Sequence, residues 1–414
     1  MTRRSALMAY IMGIWFVISF VTNLIGPLMP VIIKDYGLNL TLAGVLPFSF
    51  FIAYGIVSIP AGAMVEARGP RWALAVAFAT NLVGCAAIAV FPQYLVVVGG
   101  LFLVGAGMAM LQVVINPLMR ATGGDVHFAF FSVMGQLVFG LASFVSPLVF
   151  EALMGEDGTA ARPLVWVVFY QAFTVLFVVL AATATRLPLA PLQLNDDERP
   201  GTAQTYRRLI ARRDVQLFFL GIVAYVGTEQ SLANWMSQFL ATYHGFDPAR
   251  EGAQSVGGFW GLMSLGCLVG LLLLRLLDSK IVLGIFTVGA FVCFSAALWG
   301  PREVSLLAFP WCGFFLSVMF SVLFSLGLNS VRDSHGALSG ILCTGILGGA
   351  VVPLLVGVLG DRLGLRAALC TVYLTLAYVL STVVWARPQV RNQTVPWRHL
   401  LRRGPSTKVQ SPPA

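Results

Sequence analysis

Twelve apolar windows of about 20 residues divide this chain, each long enough to cross a hydrocarbon layer of about 30 Å as a helix. They fall at residues 6–33, 41–64, 72–91, 94–119, 127–153, 163–186, 214–243, 252–277, 281–299, 304–330, 336–359 and 366–387. Most contain Gly or Pro and the loops between them are short, which fits helices rather than barrel strands, because a backbone in lipid must satisfy its own hydrogen bonds. The residues are 58% hydrophobic and only 10% charged, against roughly a quarter charged in a soluble domain, so the chain is not built to fold in water. The expected fold is an all-α membrane protein with twelve transmembrane helices in two pseudo-symmetric six-helix bundles.

The division into halves rests on residues 187–213, the longest polar connection, rich in Pro and charge. It separates an N-terminal bundle, 1–186, from a C-terminal one, 214–387, and a basic, Pro-rich tail, 388–414, is expected to be disordered. The halves echo each other. Tyr36-Gly37-Leu38 follows the first window and His244-Gly245-Phe246 the seventh, each with a glycine seven positions on, at Gly44 and Gly252. Parallel repeats of this kind mark transporters whose site lies near the midplane, between the halves.

The formal charge of +9 suggests a nucleic-acid partner only until the charges are placed. With both termini in the cytoplasm, all but six of the 26 Lys and Arg fall inside, the exceptions being Lys34, Arg162, Arg250, Arg302, Arg362 and Arg366. That is the positive-inside bias of a plasma or inner membrane protein, and no nucleic acid is called for. The first window has no small-residue cleavage site and is read as a retained helix. Six cysteines, Cys85, Cys267, Cys293, Cys312, Cys343 and Cys370, lie inside windows with no CxxC pair and read as packing residues, with no metal or cofactor implied. The chain has no GxxxxGK[ST] loop and no HExxH, so an enzyme is not expected and transport would have to run on a gradient. A monomer is expected.

One acidic residue of 17, Glu229, cannot be placed at or beyond the end of a window. A lone carboxylate in hydrocarbon is costly, and such residues face a bundle interior or a water-filled path. Lying away from cations, it suits a group that takes up and releases a proton as water gains access. The polar residues in the windows are few: Asn23 in the first, Gln112 and Asn116 in the fourth, Gln136 in the fifth, and Gln230, Asn234 and Gln238 in the seventh. The tenth carries Ser317, Ser321, Ser325 and Asn329 at steps of four. Any one of these can serve as glue between helices, but their concentration in windows one, four, seven and ten points to a binding path. On an ideal helix Glu229 points about 140° away from Asn234, so either the helix loosens near Gly227 or the acid looks toward a neighbouring helix.

Amides beside indoles, with Trp235, Trp260, Trp311, Phe259 and Phe320 close by in sequence, suit a neutral polyhydroxylated ligand. The absence of Lys and Arg from all but the ends of the windows argues against phosphate or carboxylate substrates. Between windows two and three, GAMVEARGPR supplies Gly62, Glu66, Arg68, Gly69 and Arg71. Its small residues are expected to permit close helix approach, and its charges to cap helix ends and pair across the cytoplasmic surface in one state of a rocking cycle.

The chain resembles the major facilitator superfamily, and within it the fucose and glucose/galactose permease family of sugar symporters. The resemblance is carried by MLQVVINP at 110–117, VGTEQSLANW at 226–235, MFSVLFSLG at 319–327 and GGAVVPLLVGVLGD at 348–361. It implies alternating access and a sugar held between the halves, with Gln112, Asn116, Glu229, Asn234 and Trp235 at the positions that match binding motifs. Some proton-coupled members carry an acid in the first helix, where this chain has Gly26, and another in the fourth, where it has Gln112. Coupling then falls to Glu229 alone, or sodium replaces the proton.

The expected function is cation-coupled symport, with H+ or Na+, of a neutral sugar or polyol. Its rivals are a proton-coupled exporter of drugs or amphiphiles and a non-transporting sensor with a transporter fold. The exporter's usual fifth-helix Gly-Pro-Gly-Gly cluster is reduced here to Gly140, Ser146 and Pro147, and no long extramembrane domain speaks for a sensor.

Overall fold

The computed structural model describes residues 3–123, 128–154, 164–186, 203–331 and 335–387. Twelve helices among them are long and apolar enough to span a membrane: α1 Ser5–Tyr36, α2 Leu40–Gly62, α3 Arg68–Val90, α4 Tyr94–Ile115, α5 Leu137–Met154, α6 Val167–Arg186, α7 Arg213–His244, α8 Pro248–Leu274, α9 Ser279–Trp299, α10 Arg302–Leu328, α11 Gly340–Leu363 and α12 Leu365–Trp385. The fourth continues as helix to Gly123 and the fifth begins at Phe128. Most of the expected connection lies outside the described residues, as does the 388–414 tail; the connection's described end forms a short helix, Ala203–Ile210.

The echoed sequence at the ends of α1 and α7 has a conformational cause. Gly37 and Gly245 each sit in the left-handed region, at φ 61° and 66°, and each turns its N–H back onto the last carbonyls of its helix. A side chain is strained there, so the repeated glycine marks the same C-cap in both halves. The next helices start on side-chain caps: Asn39 accepts from the Leu42 amide at 2.8 Å, and Asp247 from Ala249 at 2.8 Å. The α1 ladder is interrupted at Leu24, where Pro27 has no N–H to offer the Asn23 carbonyl. In contrast, α7 is continuous helix through Gly227, so it does not loosen beside Glu229.

The two halves meet at the end of the molecule away from the termini. There Gly26 of α1 lies on the Ala233 carbonyl of α7, Gly44 of α2 faces Leu354 of α11, and Gly357 of α11 faces the Leu40 backbone. Glu151 of α5 accepts from Gln254 of α8 at 2.7 Å, joining the halves across their other seam. Midway down, Gly140 of α5 abuts Ser264 of α8, and Gly349 of α11 packs between Phe51 and Gln230. Toward the opposite end, below the Gly55–Leu347 contact, no described glycine lies against the other half. A side chain built at Gly13 or Gly62 meets nothing within 4 Å, and Gly340 meets only Tyr206 of the short helix before α7. The close approach expected at Gly62 is therefore not made in this conformation. Among the described residues, the glycine contacts between the halves gather at one end and at mid-depth; that end is the closed one, and the other is called the open end below.

Candidate functional site

Glu229 lies half way along α7, and its neighbours on the same helix face indicate its direction. Ala233, about 40° from it around the helix, rests against Gly26 of α1, and Met236, about 20° away, takes the Ser255 hydroxyl of α8 at 3.7 Å. The acid therefore lies on the side of α7 between α1 of the other half and α8 of its own, one turn from the Gly26 contact. It is half-buried, and both carboxylate oxygens are engaged: Tyr225 donates its hydroxyl to Oε2 and Gln230 donates Nε2 to Oε1 at 3.1 Å. Cys267 of α8 is within electrostatic reach. No Lys or Arg among the described residues forms an ion pair with it. Tyr225, itself buried, packs its ring against Phe320 of α10 with centroids 6.1 Å apart, and Phe320 stacks on Phe324.

The other expected site residues divide into groups. Gln230 and Asn234 are buried at 5% and 2% exposure; Gln230 lies against Gly349, and the Asn234 Nδ2 has no hydrogen-bond partner among the described residues. An unbonded buried amide is costly, which sets Asn234 apart from the neighbouring polar residues of α7. Gln112 is half-buried in α4. The side chains of Asn116, Gln136 and Glu66 lie outside the described ones, though their backbones are helical.

Three residues are committed elsewhere. Asn23 is buried and its amide donates to the Ser19 carbonyl and the Ser143 hydroxyl, both at 2.9 Å, which ties α1 to α5. Trp235 is fully enclosed and donates its indole N–H to the Pro353 carbonyl at 3.0 Å, fastening α7 to α11. Gln238 donates to Thr242 at 3.1 Å near the sealed end. Ser325 is exposed, and Asn329 donates to it at 3.4 Å, toward the open end of α10. Arg68 and Arg71 are exposed, with Arg68 over the Trp72 ring at 4.4 Å, and Gly69 takes a φ of 81° where α2 turns into α3.

Reading the sequence did not single out Tyr225 or Cys267. The first is four residues before Glu229, and residues four apart share a helix face, so it was within reach of a spacing argument. The second was classed with packing cysteines, yet it is exposed, donates its thiol to the Ser317 carbonyl of α10 at 3.4 Å and lies within electrostatic reach of Glu229. Gly26, which takes the place of an acid carried by some proton-coupled sugar symporters, is pressed onto α7 so closely that no side chain fits there in this state. Among the described residues there is no cluster of His, Cys, Asp and Glu suited to a metal.

Two six-helix halves around a seam with a single acid at mid-depth are the architecture of a transporter, and comparison with known proteins agrees. A profile of the Major Facilitator Superfamily matches residues 11–346. A glucose/galactose transporter of Brucella abortus is 29% identical over 386 residues, covering 88% of this chain and 90% of that protein. The L-fucose-proton symporter of Escherichia coli is 22% identical over 382 residues, covering 86% and 87%. Among solved structures, a bacterial homolog of the human lysosomal transporter Spinster, in an inward-facing and unoccupied conformation, superposes with a TM-score of 0.77 at 12% identity, covering 93% of this chain and 97% of that one. With a family match over most of its length and the helical architecture to go with it, this multi-pass membrane protein belongs to the major facilitator superfamily.

Proposed function

We propose that the protein carries a neutral sugar or closely related polyol across the membrane, driven by a cation, H+ or Na+, that Glu229 binds. The observation that carries this reading is the placement of Glu229 on the seam, without a basic partner and held by two neutral donors. A carboxylate so held can exchange a donor for a substrate hydroxyl or a cation without breaking an ion pair. The relatives named for glucose/galactose and fucose transport supply the substrate class. Both termini are placed in the cytoplasm, which makes the open end the inner one, and the protein works as a monomer in the plasma or inner membrane.

A thermal-shift screen of the purified protein against D-glucose, D-galactose, L-fucose and D-xylose, repeated across pH and sodium concentration, tests this directly. At a hundredfold excess over its dissociation constant a ligand adds about 2.7 kcal/mol of stability, readily seen as a raised melting temperature. Stabilisation by at least one sugar, changed by pH or by sodium, is expected; no response to any sugar contradicts the reading. A second expectation concerns Tyr225. Tyr225→Phe deletes one donor to the carboxylate, and a hydrogen bond to a charged group contributes about 1.5–3 kcal/mol. Initial uptake rates in this variant, normalised to protein abundance, should fall about tenfold or more; an unchanged rate would show that the phenol is not part of the site.

A further inference from the structure

The seal at the closed end contains one contact of a kind found nowhere else between the halves among the described residues. Asp361, the last acid of α11, accepts from two successive backbone amides at the start of α2: Leu40 N–H to Oδ1 at 2.7 Å and Thr41 N–H to Oδ2 at 2.8 Å. These belong to the first amides of the helix, which have no carbonyl of their own to bond. The next, Leu42, is capped by Asn39 from its own half, and Ala43 bonds the Asn39 carbonyl at 3.0 Å. The helix start is thus fully satisfied, half by its own cap and half by a carboxylate from the other bundle. Gly357, one turn before Asp361, makes this geometry reachable, because a side chain there would strike the Leu40 carbonyl carbon at 3.0 Å.

We infer that Asp361 is the gating residue of the closed end: its bidentate grip on the α2 N-terminus sets the balance between the sealed and open states of that end. The inference rests on the transporter assignment and is independent of which substrate is carried. A carboxylate at a helix N-terminus gains from the helix dipole and from charge-assisted bonds. The carboxylate is exposed, so on parting both it and the two amides pass to water without stranding a buried charge. The contact is then strong enough to bias the equilibrium and weak enough to break in each cycle, unlike a buried ion pair, whose rupture leaves an uncompensated charge.

The surrounding sequence supports a built device. GVLGDRLGLR at 357–366 has the spacing of GAMVEARGPR at 62–71, with glycine, an acid four on, a second glycine three further and an arginine two beyond. The second glycines share a backbone conformation reserved for glycine, Gly69 at φ 81°, ψ 169° and Gly364 at φ 82°, ψ 151°. At the sealed end the first glycine, Gly357, is crowded by the opposite half; at the open end its counterpart, Gly62, meets nothing. The same turn is built at both ends and is engaged at one.

The test uses spin labels at Leu42→Cys and Leu363→Cys, two exposed sites flanking the contact, in full-length protein whose six cysteines are replaced by alanine, with distances measured in lipid discs without added sugar. Asp361→Asn keeps the shape but loses the second acceptor and the charge. It should raise the ratio of long to short distances about tenfold or more, given the strength of bonds to charged groups, and Asp361→Glu should recover part of the short population. Asn39→Ala is the control: it removes a cap from the same helix, but one made wholly within its own half, so the distribution should stay as in the parent. A shift in Asp361→Asn but not in Asn39→Ala supports the inference. Equal shifts in both, or none in Asp361→Asn, overturn it. Size-exclusion profiles recorded on the same samples confirm that each variant is folded before its distances are compared.

Discussion

Glu229→Gln abolishes sugar accumulation against a gradient while leaving exchange of internal for external sugar at least partly intact. The amide keeps the size of the side chain and can still accept the Tyr225 hydroxyl, so the site keeps its shape. What it loses is the ability to carry a cation in one state and release it in the other, and a substrate is concentrated only if its movement is tied to that of the ion. Counterflow needs the loaded carrier to reorient but needs no net coupling. The expected record is therefore equal sugar concentrations inside and out under an imposed ion gradient, with counterflow still measurable. Unchanged accumulation would remove Glu229 from the coupling path.

The second large effect concerns Gly26. Any side chain at this position overlaps the Ala233 carbonyl of the other half, a backbone atom that cannot turn away. Ordinary overpacking costs about 1–3 kcal/mol, and a clash with backbone costs more because no rotamer relieves it. About 5.5 kcal/mol is enough to turn a 99:1 preference for one conformation into 1:99. Gly26→Val should accordingly leave each half folded, hold the sealed end open and reduce transport more than a hundredfold. Gly348→Val is the instructive contrast. Its side chain would strike the Val223 backbone at 2.8 Å, inside one half, in a contact that both conformations need. That variant should fail to accumulate as folded protein, whereas Gly26→Val should be made in normal amounts and not work. Measuring abundance and uptake side by side for the two separates a packing glycine from a conformational one.

The helices were legible because length and hydrophobicity alone decide them, and the repeated glycine after α1 and α7 because only one residue type suits that cap. Glu229 stood out for the same kind of reason: a carboxylate in an apolar window has few places to go. The readings that fared less well depended on which neighbour a side chain meets. Trp235 beside Asn234 looked like a stacking surface, yet its ring fills the contact between α7 and α11. Asn23 and Gln238 read as ligand-facing amides, and in this conformation each donates to a protein partner. No periodicity distinguishes these uses, since an amide that binds a sugar and one that binds a serine look alike in sequence. The Asp361 contact joins residues 321 and 320 positions apart, so its partner was not readable from the chain. Its setting carries a spacing at 357–366 that repeats that at 62–71, a match the reading of the sequence did not draw.

Recording ion entry when sugar is added outside proteoliposomes, with no gradient imposed beforehand, bears most directly on the role given to Glu229. An internal pH dye and, in a parallel series, an internal sodium dye would report which cation moves. The wild-type protein should bring one of the two in as sugar enters, and Glu229→Gln should bring in neither under the same addition. Ion entry that persists in Glu229→Gln, or sugar entry by the wild-type protein with no movement of either ion, would contradict coupling through this carboxylate.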